Sequence, residues 1–223
     1  MASELDHIFI LTAPGAPEAV RLTEFGLTEG VPSTHPGQGT ACRRFPFDNG
    51  YLELLWVEDR IAAESEPIRP THLFERWTGR NDGACPFGLI FRPAADGGNG
   101  PPFAVRDYRP AWLPPQMSIS LATNSSLLLE PALFYLTGGG QPVVASNSRK
   151  QTALCTAGLR AISRVDCVLT RVASLSLELQ SIIDAGLVNV RIDEDYLLEI
   201  RCDGGWREHM IDFRPGLPLI LRW

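Results

Sequence analysis

Cysteine is scarce in this sequence, and its spacing excludes two common kinds of small protein. The chain of 223 residues has five cysteines, and no two of them form a C-x-x-C pair. Disulfide-rich domains and structural zinc knuckles both need closely spaced cysteines, usually in even number. Neither class fits. Cys167 and Cys202 lie in apolar runs and are predicted to be core residues, because free cysteine is often buried.

Long apolar runs and clustered positive charge are also missing. No run approaches the ~18 apolar residues of a membrane span, so no membrane partner is expected. The formal net charge is −6, without a Lys/Arg cluster, so no nucleic acid is expected either. The N-terminus lacks the basic region and apolar core of a signal peptide, so cytoplasmic residence is the expectation.

The composition is that of a globular protein, with 44% hydrophobic and 21% charged residues. Strands are predicted at 4–12, 27–34, 40–47 and 51–57, separated by turn residues, with a helix at 17–25. The order of these elements is βαβββ. The same rhythm returns near the C-terminus, where a strand at 163–170 and a helix at 175–185 precede strands at 187–192, 196–202 and 206–213.

A middle stretch gives strands without a clear helix. Strands are predicted at 88–92, 117–121 and 132–136, with a Pro/Gly-rich loop from Pro93 to Pro115 where the first unit has its helix. The predicted division is a βαβββ module at 1–58, a linker at 59–83, a second module at 84–137 with its helix reduced or lost, a connector at 138–157, and a C-terminal βαβββ module at 158–223.

Two polar residues stand out in otherwise apolar strands. Side chains alternate along a strand, so Glu53 shares a face with Tyr51 and Leu55, and His7 shares one with Phe9. A carboxylate in such a strand is unfavourable unless it is paired, hydrogen-bonded or bound to a metal. An imidazole and a carboxylate on two strands form half of a plausible metal site.

At these residues the chain resembles a known superfamily. Asp6-His7-Ile8 opening the first strand and Leu52-Glu53-Leu54 in the last strand of the unit are similar to glyoxalase/bleomycin-resistance/extradiol-dioxygenase proteins, also called vicinal oxygen chelate proteins. The run 35–40 before a strand is similar to their glyoxalase-like domain group. The resemblance implies an α+β fold of βαβββ modules with curved, cup-shaped mixed sheets. It also implies that His7 and Glu53 are metal ligands.

The resemblance leaves the other half of the metal site open. Complete family members take two further ligands from a second module, but the strand at 88–92 has no histidine and the strand at 132–136 no carboxylate. Arg92 or Tyr135 stands at those places. Cys167 echoes the position of His7 in the C-terminal module, and Glu199 or Glu208 the position of Glu53. These three are the candidates for the missing ligands, and a weakened or missing metal site is expected.

An alternative without metal rests on the strand Thr40–Phe47. Arg43 or Arg44 faces the same side of the sheet as Glu53 if the strands pair regularly. A buried Arg–Glu pair then satisfies the Glu53 carboxylate by itself.

These observations lead to a prediction with two competitors. The leading function is a glyoxalase-like enzyme that uses one divalent metal (Zn, Fe, Mn or Ni) on a small oxygenated molecule, by lyase, isomerase or dioxygenase chemistry. The first competitor is a non-catalytic small-molecule binder of the drug-sequestering type with a degenerate metal site, and the second is a domain that serves only in assembly. The expected partners are a small-molecule ligand and a second copy in a homodimer. The predicted metal ligands are His7 and Glu53, Glu53 is the catalytic residue, and the predicted substrate-binding residues are Phe9, Tyr51, Leu55, Arg43 and Arg92.

Overall fold

The computed structural model describes residues 3–95, 100–108, 118–137, 155–205 and 209–223. Thirteen strands run through these ranges: β1 (Ser3–Leu11), β2 (Ser33–His35), β3 (Thr40–Pro46), β4 (Tyr51–Val57), β5 (Phe87–Pro93), β6 (Val105–Tyr108), β7 (Ser118–Ala122), β8 (Ala132–Thr137), β9 (Ile162–Leu169), β10 (Asn189–Ile192), β11 (Leu197–Cys202), β12 (Met210–Asp212) and β13 (Leu219–Arg222). The α-helices are α1 (Ala19–Phe25), α2 (Arg60–Ala63), α3 (Leu73–Gly79) and α4 (Leu177–Asp184), with 3-10 turns at Arg69–Thr71 and Asp203–Gly205. The predicted α+β class is confirmed.

The first eight strands form one sheet with the order β2-β3-β4-β1-β5-β8-β7-β6. At its centre β1 and β5 are antiparallel, while β1 is parallel to β4 and β5 is parallel to β8. The two halves of the sheet therefore repeat one strand pattern on either side of the β1–β5 pair. The sheet curls into a half-barrel, which confirms the predicted cup.

The last five strands form a second sheet with the order β10-β9-β11-β13-β12. Here β9, α4 and β10 make a parallel crossover unit, and β11 pairs with β9 from the other side. Strand β13 is absent from the sequence-based prediction, because three apolar residues and an arginine after a proline give too little periodicity to indicate a strand.

One face of the large sheet is the core of the molecule. Ile8, Ile10, Leu52 and Leu54 are fully buried in a cluster that also contains Leu22 of α1. The same cluster extends to second-sheet residues, among them Cys167, Leu198 and Ile200. The alternation predicted for β1 and β4 is confirmed, and it leaves the opposite face of the large sheet for the pocket.

Three local features differ from the prediction or add to it. Strand β6 lies inside the stretch predicted as a loop, and the predicted strand at 27–34 is regular only from Ser33. The described residues between β5 and β6 contain no helix. In the part of the chain that the structure describes, no helix is both long and apolar enough to cross a membrane.

Candidate functional site

His7 and Glu53 meet on the concave face of the large sheet. The parallel register of β1 and β4 sets His7 opposite Tyr51 and Phe9 opposite Glu53. His7 Nε2 lies 3.9 Å from Glu53 Oε2, with both side chains largely buried. The predicted juxtaposition of the two residues is therefore present, while their chemical roles stay predictions.

The two residues border a cavity of about 300 Å³. One wall is polar and comes from β1 to β4 together with the β2–β3 turn; it consists of His7, Ser33, Thr34, His35, Gln38, Arg44, Tyr51 and Glu53. The remaining lining is apolar and consists mainly of Phe9, Leu55, Leu73, Ile90, Tyr108, Ile119, Phe134 and Leu136. Of the predicted substrate-binding residues, Phe9, Tyr51 and Leu55 line this cavity.

Glu53 is held by an arginine. Arg44 lies directly opposite Glu53 in the β3–β4 register, and Arg44 Nε donates to Glu53 Oε1 over 2.9 Å. Burial alone would raise the pKa of Glu53, but His7, Arg44 and His35 outweigh burial and hold that pKa below its usual value. Glu53 is thus an ionised carboxylate with a built-in counter-charge, as the metal-free alternative predicts for one of the two arginines.

His7 is fixed from two sides. Its Nδ1 lies 2.6 Å from Asp6 Oδ1, and its ring stacks on Tyr51 with centroids 4.3 Å apart. Asp6 is in turn bonded to Arg92, whose Nη1 lies 3.1 Å from Asp6 Oδ2. Burial favours a raised pKa for Asp6, but hydrogen bonding and charge from His7 and Arg92 lower it overall. Tyr51 stays protonated, because burial and the nearby Glu53 and Asp6 carboxylates raise its pKa.

A third group of polar atoms lies beside Glu53. Ligand atoms of His35, Cys42 and Glu53 all lie within 4.8 Å of one another. Cys42 Sγ donates to Glu53 Oε1 over 3.4 Å, and burial together with Glu53 raises the pKa of the thiol to about 12. Burial lowers the pKa of His35, so its ring is neutral near pH 7. The thiol is therefore protonated and unreactive as a nucleophile.

Three arginine and tyrosine predictions need correction. Arg43 points to the opposite face from Glu53, where it pairs with Glu29 through contacts of 2.5 and 2.6 Å, so it does not line the cavity. Arg92 bonds to Glu4 and Asp6 and lies behind His7 instead of among the cavity-lining residues. Tyr135 is fully buried in the core on the other face. Strand alternation explains the placements of Arg43 and Tyr135.

The candidates for further metal ligands also lie elsewhere. Cys167 is buried between the two sheets, with burial raising its pKa, and it belongs to the core cluster. Glu199 pairs with Arg191 at 2.7 Å and Arg222 at 2.9 Å on the second sheet. Glu208 lies outside the described residues. Neither Cys167 nor Glu199 reaches the cavity, so neither can complete a site with His7 and Glu53.

His7 and Glu53 by themselves do not complete a divalent-metal site with four protein ligands. His7 Nε2 and Glu53 Oε2 face each other, but β5 and β8, where the further ligands were expected, contribute Ile90 and Phe134 to the lining, and these have no ligand atoms. Arg44 also holds a positive charge beside the Glu53 carboxylate, and this charge disfavours the binding of a second cation there.

A known family model matches the part of the chain that contains the polar residues of this site. Residues 5–96 match the family model described as a glyoxalase-like domain, and this stretch contains β1 to β5 with His7, Arg44 and Glu53. Residues 5–96, less than half of the chain, are therefore similar to a glyoxalase-like domain. The family predicted from the Asp-His-Ile and Leu-Glu-Leu runs is thereby confirmed.

Solved structures match this chain only at low similarity. A hypothetical protein from Staphylococcus aureus is 12% identical, with a TM-score of 0.49 over 99% of this chain and 98% of that chain. Methylmalonyl-CoA epimerase in complex with methylmalonyl-CoA and NH4+, and a Streptomyces coelicolor variant of that enzyme in complex with 2-nitronate-propionyl-CoA, are each 14% identical, with TM-scores of 0.40 over 64% of this chain and 99% of theirs. These scores are too low to transfer a site or an activity. No curated protein matches the sequence.

Several residues of the glyoxalase-like site escape the sequence-based prediction. Asp6 is assigned by alternation to the face opposite His7, and His35 lies in a run that indicates only a turn before a strand. The apolar wall comes largely from β5 to β8 and α3, whose apolar residues look like any core residues in the sequence. The one available signal is the predicted second module, which implies that its strands face the first module across a cup.

Proposed function

We propose that this glyoxalase-like protein binds a small molecule that has an apolar body and an oxygen-bearing polar end. The observation that carries this proposal is one cavity of about 300 Å³ whose lining combines a polar group of residues with an apolar group. Ligand pockets are typically largely apolar with a few convergent polar groups, and this volume lies at the small end of their usual range. A compact molecule is therefore the expected ligand.

The polar wall supports recognition of oxygen. Arg44 gives Nε to Glu53, while its Nη2 lies 3.5 Å from His35 Nε2; among the described residues Nη1 makes no hydrogen bond. The guanidinium also lies over the Tyr51 ring, at 5.4 Å from its centroid. A guanidinium fixed in this way supplies donors for a carbonyl, carboxylate or hydroxyl oxygen without further ordering. Ile90, Phe134 and Leu136 supply the apolar contacts for the rest of the ligand.

A ligand screen tests the proposal. Compact aromatic and aliphatic molecules with a carbonyl, carboxylate or hydroxyl group are screened by ligand-observed NMR and thermal unfolding against protein purified without added metal. Leu136→Trp, which fills the cavity, should abolish binding of any hit. Val20→Trp is the matched control, because Val20 is 49% exposed on α1 and lies outside the cavity. Binding that survives Leu136→Trp would refute this pocket as the site.

A metal-dependent enzyme of the lyase, isomerase or dioxygenase type is the second candidate. It is favoured by the position of His7 Nε2 opposite Glu53 Oε2, with Asp6 holding the other imidazole nitrogen as a carboxylate does for many metal-bound histidines. Such a metal would supply Lewis-acid chemistry. Metal analysis after purification without chelator separates the two functions. About one equivalent that survives dialysis, and is lost in His7→Ala but kept in His72→Ala, would favour the enzyme over the binder.

Assembly and location remain predictions. A homodimer is expected, and light scattering at several protein concentrations tests it. The −6 net charge continues to disfavour nucleic acid as a partner. Cytoplasmic residence stays an expectation, which microscopy of the tagged full chain tests. A chain that neither binds a ligand nor holds a metal would leave assembly as its role.

A further inference from the structure

We infer that Asp6 is a positioning residue that fixes the tautomer of His7, so that His7 Nε2 is a hydrogen-bond acceptor facing the cavity. The part of this inference that concerns a ligand rests on the proposed function. Asp6 precedes His7 in the strand, and regular alternation would send its side chain to the opposite face. The structure places it against His7 because β1 is irregular at this residue.

A bulge in β1 brings the two side chains together. In the pairing of β1 with β5, Leu5 is opposite Phe91 and His7 is opposite Ile90, so Asp6 is an extra residue between two successive pairs. An extra residue of this kind bends the strand and re-aims its side chains, often beside active sites. Here it lets Asp6 Oδ1 approach His7 Nδ1 to 2.6 Å.

Two neighbours hold the bulge in place. Gly50 lies against it, and a Cβ at Gly50 would be 2.7 Å from the Asp6 carbonyl oxygen, so a side chain there would displace the backbone. On the other side, Arg92 of β5 bonds to Asp6 Oδ2 at 3.1 Å and to Glu4 at 2.7 Å. Asp6 is itself only 4% exposed. Its carboxylate is therefore fixed both by the backbone and by a buried ion pair.

The tautomer follows from these contacts. An ionised carboxylate only accepts hydrogen bonds, so the hydrogen of the short Asp6–His7 contact belongs to Nδ1. In neutral His7 the lone pair then lies on Nε2. Within the described ranges Nε2 makes no hydrogen bond, and Glu53 Oε2, which lies 3.9 Å away, is itself an acceptor. Two acceptors face the same space, so a ligand there must present a donor.

This assignment adds His7 Nε2 to Glu53 Oε2 as an acceptor that faces the pocket. Glu53 Oε1 already receives hydrogen bonds from Arg44 and Cys42. His7 Nε2 has a free lone pair beside the cavity. The site thus takes a ligand whose polar end carries a hydroxyl or another donor toward His7, together with an oxygen toward Arg44. A hydroxy-carbonyl or hydroxy-carboxylate compound combines the two groups.

The test reads the tautomer directly in the protein without ligand. Long-range proton–nitrogen NMR spectra of the four histidine rings are recorded at about pH 8, above the ordinary histidine pKa of about 6.5. A His7→Gln spectrum identifies the His7 signals. Wild-type His7 should carry its proton on Nδ1, against the usual preference of free imidazole side chains for Nε2. Asp6→Ala should move the proton to Nε2.

A matched control removes a similar ion pair elsewhere. Asp166→Ala breaks the pair with Arg164 on β9 and should leave the His7 signals unchanged. A wild-type spectrum with the proton on Nε2 would overturn the inference even if Asp6→Ala fails to fold, and so would an unchanged tautomer in a folded Asp6→Ala protein. With a ligand from the screen, Asp6→Ala should weaken binding roughly threefold to tenfold, as for one ordinary hydrogen bond. Failure to find any ligand would count against the proposed function, while the tautomer result would stand.

Discussion

At the scale of single residues, the site is a chain of charges inside an otherwise apolar cup. The chain of charges crosses four neighbouring strands, β5, β1, β4 and β3. Its members, in order, are Arg92, Asp6, His7, Glu53 and Arg44. The buried carboxylates of Asp6 and Glu53 each pair with an arginine, so neither is left without a counter-charge. Among the described residues, His7 Nε2 and Glu53 Oε2 make no hydrogen bond, and these two atoms lie 3.9 Å apart beside the cavity.

Neutralising Glu53 tests the balance between Glu53 and Arg44. Glu53→Gln keeps the size of the side chain but leaves the Arg44 guanidinium without its counter-charge. The free energy of unfolding should fall on the order of 3 kcal/mol, at the low end for buried pairs, because the Arg44 side chain is 22% exposed. Urea unfolding measures the change. Glu64→Gln, on an exposed i,i+4 pair with Arg60, should leave stability unchanged, and equal effects of the two substitutions would contradict the burial argument.

The same carboxylates predict a pH dependence of stability. The pKa values of Glu53 and Asp6 are lowered in the folded protein, so between the folded and unfolded pKa values the unfolded chain binds more protons. Their contribution is therefore complete well above the ordinary carboxyl pKa of about 4 and is lost as the pH falls through the folded values. Urea unfolding between about pH 6 and pH 3 should show this loss. The loss should be smaller in Asp6→Asn with Glu53→Gln, whereas the same slope in that double variant and in wild type would refute the assignment.

At the scale of elements, neighbouring strands shape the cavity as much as its polar residues do. Gly88 of β5 lies opposite Phe9 of β1, and a Cβ at Gly88 would be 2.1 Å from the Phe9 ring. The absence of a side chain at Gly88 thus lets the Phe9 ring lie flat along the sheet. The ring then forms part of the cavity lining instead of projecting across it.

Substituting Gly88 tests this element-scale fit. Gly88→Ala should push the Phe9 ring toward the cavity, weaken ligand binding and cost about 1–3 kcal/mol through overpacking. Thermal and urea unfolding give the stability change, and the ligand screen gives the binding change. Combining Gly88→Ala with Phe9→Leu should cost less than the sum of the two single changes, because the smaller side chain relieves the contact. Additive costs would show that the two residues do not interact in this way.

Strand β9 has a sequence similar to that of β1 but does not form a comparable site. Asp166-Cys167 repeats the position of Asp6-His7, but β9 pairs with β11 without an irregularity at this point. Asp166 therefore points away from Cys167 and bonds to Arg164 at 2.6 Å, while Cys167 is buried against the large sheet. The two runs hold similar places in their strands, but only β1 has the bulge that brings the aspartate beside the next residue.

At the scale of the whole molecule, the two sheets share one core. The cluster that contains Ile8 and Leu52 also contains Cys167 and Leu198, and Phe87 packs edge-on against Tyr196. Polar contacts join the sheets as well, since Asn49 Nδ2 donates to the Ile162 carbonyl over 2.8 Å. The C-terminal sheet thus supports the strands that position the pocket.

Thiol labelling tests whether the molecule unfolds as one unit. Cys42, Cys85, Cys167 and Cys202 are fully buried on different strands and segments of both sheets. If the shared core makes unfolding cooperative, all four should react with a thiol reagent at the same opening free energy in low denaturant. Mass spectrometry of peptides measures each rate, and the half-buried Cys155 should react first. Earlier labelling of Cys167 and Cys202 than of Cys42 would show that the second sheet opens alone.

The sequence by itself determined the family, the α+β class and the two residues around which the site is built. His7 and Glu53 could be found because a polar residue in an apolar strand is unusual, and because alternation sets its face. Alternation also assigned Phe9, Tyr51 and Leu55 to the cavity side. These conclusions need only local periodicity, which every strand carries in its own residues.

Only the tertiary structure decided which charges meet. Pairing register chose Arg44 over Arg43 as the partner of Glu53, since a shift of one residue exchanges the faces. The packing of β5 and β8 against the first four strands brought Ile90 and Phe134 to the place where further ligands were sought. The bulge at Asp6 depends on room left by Gly50 and on Arg92 from another strand, so no local pattern could have indicated it. Strand register, sheet closure and bulges depend on contacts between residues that are far apart in the sequence. These contacts placed His7 and Glu53 together beside one pocket.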